Sequence, residues 1–114
     1  MNFEKEIKED IVIEKVNLKR ATYKEAEEFM NIVQNDIEAG WKKIIIDMKN
    51  CEFMDSSFLC VLINSLKQLE KSNGSLKLAS IHDDAQVILD ITRISDIFHI
   101  YADKEEAIKS FSSN

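Results

Sequence analysis

The chain has 114 residues, 45% hydrophobic and 32% charged, with two Gly and no Pro. That make-up suits one globular domain over residues 1–114 and excludes a disordered or collagen-like chain. The net charge of −6 argues against a nucleic-acid partner, because reading phosphates needs clustered Lys and Arg.

Two Cys without a framework suit a reducing compartment. The longest apolar runs, Phe58 to Ile63 and Ile44 to Ile46, are too short to cross a bilayer. Met1 to Glu6 carries no secretory apolar stretch. The expectation is a cytoplasmic protein, monomeric and without a membrane partner.

Phe3, Lys5 and Ile7 alternate weakly, and Lys8-Glu9-Asp10 breaks the pattern. Ile11 to Val16 is short and β-branched, so the opening reads as a hairpin with a poor edge strand. Thr22 and Glu25 then stand at capping-box spacing. Behind them Ala26, Phe29, Met30, Val33 and Ile37 mark one face of a helix that Gly40 ends. Lys42 to Met48 is an apolar run after a charged lead-in, as expected of a strand covered on both faces.

A second helix follows Asp55-Ser56-Ser57. Its inward face is Leu59, Leu62, Ile63, Leu66 and Leu69, and Lys71 to Ser75 stops it. Leu76, Leu78 and Ser80-Ile81 form the next strand. Asp83-Asp84 opens a third helix with Ala85, Ile88, Leu89 and Ile91 inward. Ile97 to Tyr101 is the last strand, and Asp103 to Glu106 starts a final helix with Ala107, Ile108 and Phe111 inward. Ser112, Ser113 and Asn114 are expected to fray. The order is ββαβαβαβα: an α/β fold with a mixed, mostly parallel sheet and crossover helices.

The informative segment runs from Ile44 to Leu69, where a hydrophobic strand leads through a short loop into Asp55-Ser56-Ser57 at a helix start. Asp and Ser are preferred N-caps, so the tripeptide by itself also fits a plain cap. Its setting says more. Ile45-Ile46-Asp47-Met48, Phe53-Met54-Asp55-Ser56-Ser57, Leu59 and Val61-Leu62 together resemble the signature of the STAS family, the anti-sigma-factor antagonists. The resemblance extends over roughly residues 11 to 111.

That resemblance implies a partner switch. Ser56 takes the phosphorylation position, Asp55 the adjacent acid and Ser57 the neighbouring hydroxyl. The implied partners are an anti-sigma factor that is also a serine kinase, and a phosphatase that resets the switch. Independently, a helix N-terminus offers unpaired N–H donors and partial positive charge to a phosphate.

Two positions depart from the family pattern. Phe58 stands where a Gly usually follows the hydroxyls, and Lys19 stands where an Asp is found before the first helix. Counting about 100° per residue places Phe58 on the flank of the helix, with Val61 further from the core. Two readings of Phe58 follow: folding over the sheet edge, or an aromatic contact for a partner. Lys19 beside a phosphoserine would favour the modified state.

His82-Asp83-Asp84 fits an acidic first turn better than a metal site, and His99 fits strand packing. Cys51 and Cys60 read as buried thiols, and Trp41 as a cover for the sheet end. Asp47 to Asp55 lacks the second acid cluster that a response-regulator phosphoacceptor needs. No Gly-rich phosphate loop or Ser/His/Asp set is legible, so neither an enzyme nor a cofactor is expected. Two regulatory readings stay open. One is the phosphorylation switch; the other is a STAS-like scaffold or accessory subunit of a signalling complex or transporter ATPase, without a phosphorylation cycle.

Overall fold

A computed structural model describes residues 1–112. The fraying expected of Ser113 and Asn114 lies outside them, and Ser112 is still helical. The chain opens with the expected hairpin. Strands β1 (Phe3–Lys8) and β2 (Ile11–Val16) pair antiparallel, from Phe3 opposite Val16 to Lys8 opposite Ile11. Glu9 turns the chain with φ of 56°.

The short strand β3 (Arg20–Ala21) precedes helix α1 (Tyr23–Glu38). The capping box forms: the Thr22 N–H donates to Glu25 Oε1 at 3.0 Å. Gly40 leaves the helix at φ of +98°, a conformation that disfavours side chains.

Strand β4 (Lys43–Asp47) leads to β5 (Phe53–Met54) and helix α2 (Ser56–Lys71). Strand β6 (Ser75–Ala79), helix α3 (Asp83–Ile91), a 3₁₀ turn (Ile94–Asp96), strand β7 (His99–Tyr101) and helix α4 (Lys104–Ser112) complete the chain. The last strand is shorter than expected, because Ile97 lies in the turn region and is exposed.

The main sheet runs β1-β2-β4-β6-β7, with only the first pair antiparallel. Its middle strand, β4, buries Ile44, Ile45 and Ile46 completely, as a strand covered on both faces requires. Val12, Val16, Ile44, Ile46, Leu76 and Leu78 face α1, α2 and α3. Ile11, Ile13, Ile45 and Ala79 pack against α4 through Ala107, Ile108 and Phe111. Trp41 is half-buried against the first of these cores.

Other details differ from the sequence reading, among them the end of β6: it stops at Ala79, so Ser80 and Ile81, expected in that strand, lie outside it. Strands β3 and β5 form a separate two-stranded parallel sheet, Arg20 beside Phe53 and Ala21 beside Met54. Two-residue strands have no periodicity to reveal them. Met30 on α1 is exposed, and Ile91, expected inward on α3, is 75% exposed because that helix ends there. Gly74 is held by packing: a Cβ there would come within 2.7 Å of the Leu69 side chain and 2.8 Å of the Lys42 carbonyl oxygen.

Candidate functional site

The site sits where the small sheet delivers the chain into α2. After β4, Met48 donates its N–H to the Ala79 carbonyl at 2.9 Å, and Cys51 donates to Met48 at 2.9 Å. Cys51 and Met54 are buried, which anchors the loop from beneath. Burial pushes the Cys51 thiol up from its ordinary pKa, so it is an inert packing group. The Lys19 carbonyl accepts from the N–H groups of Glu52 and Phe53 at 2.9 and 3.1 Å, fixing the other side of the loop.

Asp55 is the N-cap of α2, in extended backbone conformation. Its Oδ1 accepts the Phe58 N–H at 3.0 Å. Its second oxygen, Oδ2, accepts the N–H of Tyr23, the first residue of α1, at 2.9 Å. The backbone N–H of Asp55 donates to the Ala21 carbonyl at 3.0 Å. One residue thus binds two helix starts, and it is more than a cap for its own helix.

Ser56 and Ser57 follow as the first two residues of α2, and both are exposed. A hydroxyl at Ser56 meets solvent at the positive end of a 16-residue helix. The structure therefore brings Asp55, Ser56 and Ser57 together as expected, and adds Tyr23.

Phe58 requires a correction. It is 0% exposed and cannot serve as a surface contact. Its ring stacks on Phe29 of α1 with centroids 4.5 Å apart and lies 6.5 Å from Phe3 of β1. Val61 is likewise buried, not turned away from the core. Cys60, expected to be buried, is exposed. The physical reason is one shift of helix phase: the buried stripe is Phe58, Leu62, Ser65 and Leu69, flanked by Leu59, Val61 and Leu66.

Lys19 is exposed beside the loop. It lines a cavity of about 450 Å³ with Arg20, Glu52, Phe53 and Asp84, and Ser56 is not part of that wall. Arg20 lies over the Phe53 ring, 4.5 Å from its centroid.

At the carboxyl ends of the main strands, a second cavity of about 690 Å³ includes Lys15, Asp47, His82 and Lys104. His82 Nε2 lies 3.2 Å from the Lys49 carbonyl oxygen, and His99 is exposed on β7. Among the described residues no group of three His, Cys, Asp or Glu side chains could hold a metal ion. No helix among them is long and apolar enough to cross a membrane.

Sequence reasoning missed the Asp55–Tyr23 bond. The one available signal was Asp55 itself, since a carboxylate cap has a second oxygen that needs a partner when half-buried.

Comparison with known proteins agrees with this geometry. A Thermotoga neapolitana protein described as a candidate anti-sigma factor antagonist is 31% identical over 108 residues, covering 94% of this chain and 95% of that one. The anti-sigma-B factor antagonist of Bacillus subtilis is 34% identical over 64 residues, which is 56% of this chain and 59% of that protein. The crystal structure of a candidate anti-sigma factor antagonist from Thermotoga maritima superimposes with a TM-score of 0.89 at 26% identity, covering 97% and 95% of the two chains. The sequence profile of the STAS domain matches residues 2–107. With the sheet order, the Asp55-Ser56-Ser57 turn and these matches in agreement, the chain belongs to the STAS domain family.

Proposed function

We propose that the protein is an anti-sigma factor antagonist switched at Ser56. In the unmodified state it captures an anti-sigma factor, which frees the sigma factor. That partner, acting as a serine kinase, phosphorylates Ser56 and is released, and a phosphatase restores the hydroxyl. The protein works in the cytoplasm as a monomer and by binding rather than by catalysis.

The observation that carries this reading is the exposed Ser56 hydroxyl at the first position of α2, with Asp55 folded into two helix starts beside it. A phosphate there finds N–H donors and helix charge, so the modified domain keeps its fold. It also places close to two negative charges on the docking surface, which a partner must desolvate or repel.

The test is phosphorylation by the anti-sigma factor of the same organism with ATP, followed by mass mapping. One phosphate on Ser56 is expected. Ser56→Ala should abolish it and keep binding; Ser56→Asp should weaken binding by roughly 1–3 kcal/mol. Phosphate on Ser57 alone would overturn the assignment. Tight binding that is indifferent to Ser56→Asp would favour a scaffold without a phosphorylation cycle.

A further inference from the structure

The first turn of α1 has its donors accounted for one by one. The Thr22 N–H goes to Glu25 Oε1 at 3.0 Å, the Lys24 N–H to Thr22 Oγ1 at 3.3 Å, and the Glu25 N–H to the Thr22 carbonyl at 3.1 Å. The capping box leaves the Tyr23 N–H over. Its acceptor comes from 32 residues away: Asp55 Oδ2, at 2.9 Å. Asp55 also returns a bond to the same segment, donating its N–H to Ala21 at 3.0 Å. The other oxygen of the same carboxylate holds the first turn of α2 through Phe58 at 3.0 Å.

Nothing else in the chain ties the Ser56 turn to α1 in this way among the hydrogen bonds of the described residues. Tyr23, the residue so held, is 68% exposed. An exposed aromatic on a fixed backbone has the character of an interface anchor.

We propose that Asp55 is the positioning residue through which the state of Ser56 reaches the first turn of α1. The inference rests on the Ser56 switch proposed above and extends it. A phosphate on Ser56 brings three strong acceptor oxygens and close to two charges to donors that Asp55 already uses. The phosphate takes the amides of Ser57 and Phe58. Asp55, repelled by it, gives up its bond to Tyr23. The start of α1 and the Tyr23 ring then lose their fixed position. The partner surface extends from Ser56 to Tyr23, and one modification alters both ends of it while the sheet stays unchanged.

The experiment places phosphoserine biosynthetically at position 56, so that no kinase is needed, and follows amide exchange by NMR. The Tyr23 amide should exchange at least about tenfold faster in the phosphorylated protein, with the amides of β4 and β6 unchanged. Unmodified Asp55→Asn, which keeps a single acceptor oxygen for two donors, should speed Tyr23 or Phe58 but not the strands. In phosphorylated Asp55→Asn the further gain at Tyr23 should fall below about twofold, because the route is already cut. An unchanged Tyr23 exchange rate on phosphorylation would overturn the proposal. So would an equal gain in wild type and Asp55→Asn. Failure of the anti-sigma factor to phosphorylate Ser56 would instead count against the switch alone, since the placed phosphoserine still reports on the coupling.

Discussion

Replacing Glu14 by Gln should remove a pH dependence built into the hairpin. Glu14 on β2 and Asp36 on α1 both have side chains only 1% exposed, and one ammonium, Lys5, serves both carboxyls. Lys5 lies directly opposite Glu14 in the β1–β2 register. Its Nζ binds Asp36 Oδ1 and approaches Glu14 Oε2 to 3.3 Å, without hydrogen-bond geometry at the latter. Glu14 Oε2 and Asp36 Oδ2 are left without a hydrogen-bond partner among the described residues. Two buried carboxylates beside one cation are short of a proton.

Burial first, then the neighbouring Asp36 carboxyl, push Glu14 up to about 8 from its ordinary 4.5, against the pull of Lys5. The folded state therefore holds a proton that the unfolded chain loses above about 4.5. Since the unfolded state binds fewer protons in this window, stability falls as pH rises. The loss begins near 4.5, proceeds at up to about tenfold in the folding constant per pH unit, and levels off near 8. Urea denaturation of wild type and Glu14→Gln at pH 5, 6, 7, 8 and 9 measures it, because groups away from the Glu14, Asp36 and Lys5 cluster cancel in the difference. Gln is neutral and still offers Asp36 a donor. The wild type should lose stability across the series relative to the variant. Parallel curves would refute the argument.

Further outcomes follow from the packing. Phe58→Ala removes the ring that α2 adds to the Phe3, Phe29 and Phe58 stack, in which Phe29 is the middle one, and should cost roughly 3–5 kcal/mol in chemical denaturation. Leu62→Ala, at a fully buried position one helical turn on, should cost roughly 2–5 kcal/mol in the same assay; a loss below about half a kcal/mol would mean the helix phase is wrong. Iodoacetamide should label Cys60 in the native protein and Cys51 only after unfolding, since the first thiol is exposed and the second is buried with a raised pKa.

The order of elements was legible because each long element carries its own period. The apolar run at Ile44 to Ile46 marked a central strand, and the face of Leu59, Leu62, Leu66 and Leu69 marked a helix. The exact phase of that helix was not legible, and Ser65 is the reason. The buried stripe runs Phe58, Leu62, Ser65 and Leu69, at spacings of four, three and four, but a serine at its third place disguises it. The more continuous row of leucines drew the centre of the face away from Phe58. Glu14 and Asp36 were hidden for a related reason: a charge in an alternating strand or on a helix reads as solvent-facing unless its partner, here Lys5 across the hairpin, is known. The β3–β5 pair depends on contacts 33 residues apart that no local pattern records.

The departure at Phe58 orients the start of α2 from inside the protein. At about 100° per residue, the side chain two positions before Phe58 points about 160° away from it, and the one immediately before points about 100° away. With Phe58 locked into the aromatic stack, Ser56 is therefore turned almost directly outward and Ser57 only to the flank. Cys60, two positions after Phe58, is exposed by the same rule, which checks the phase independently. A Gly at this position would leave the rotation of the first turn to be set from elsewhere. Phe58 sets it by burial, and Asp55 sets the height of the same turn through Tyr23 and Ala21. With Ser56 as the proposed modified hydroxyl, packing beneath the helix favours it over Ser57, because the burial of Phe58 fixes the rotation of the turn.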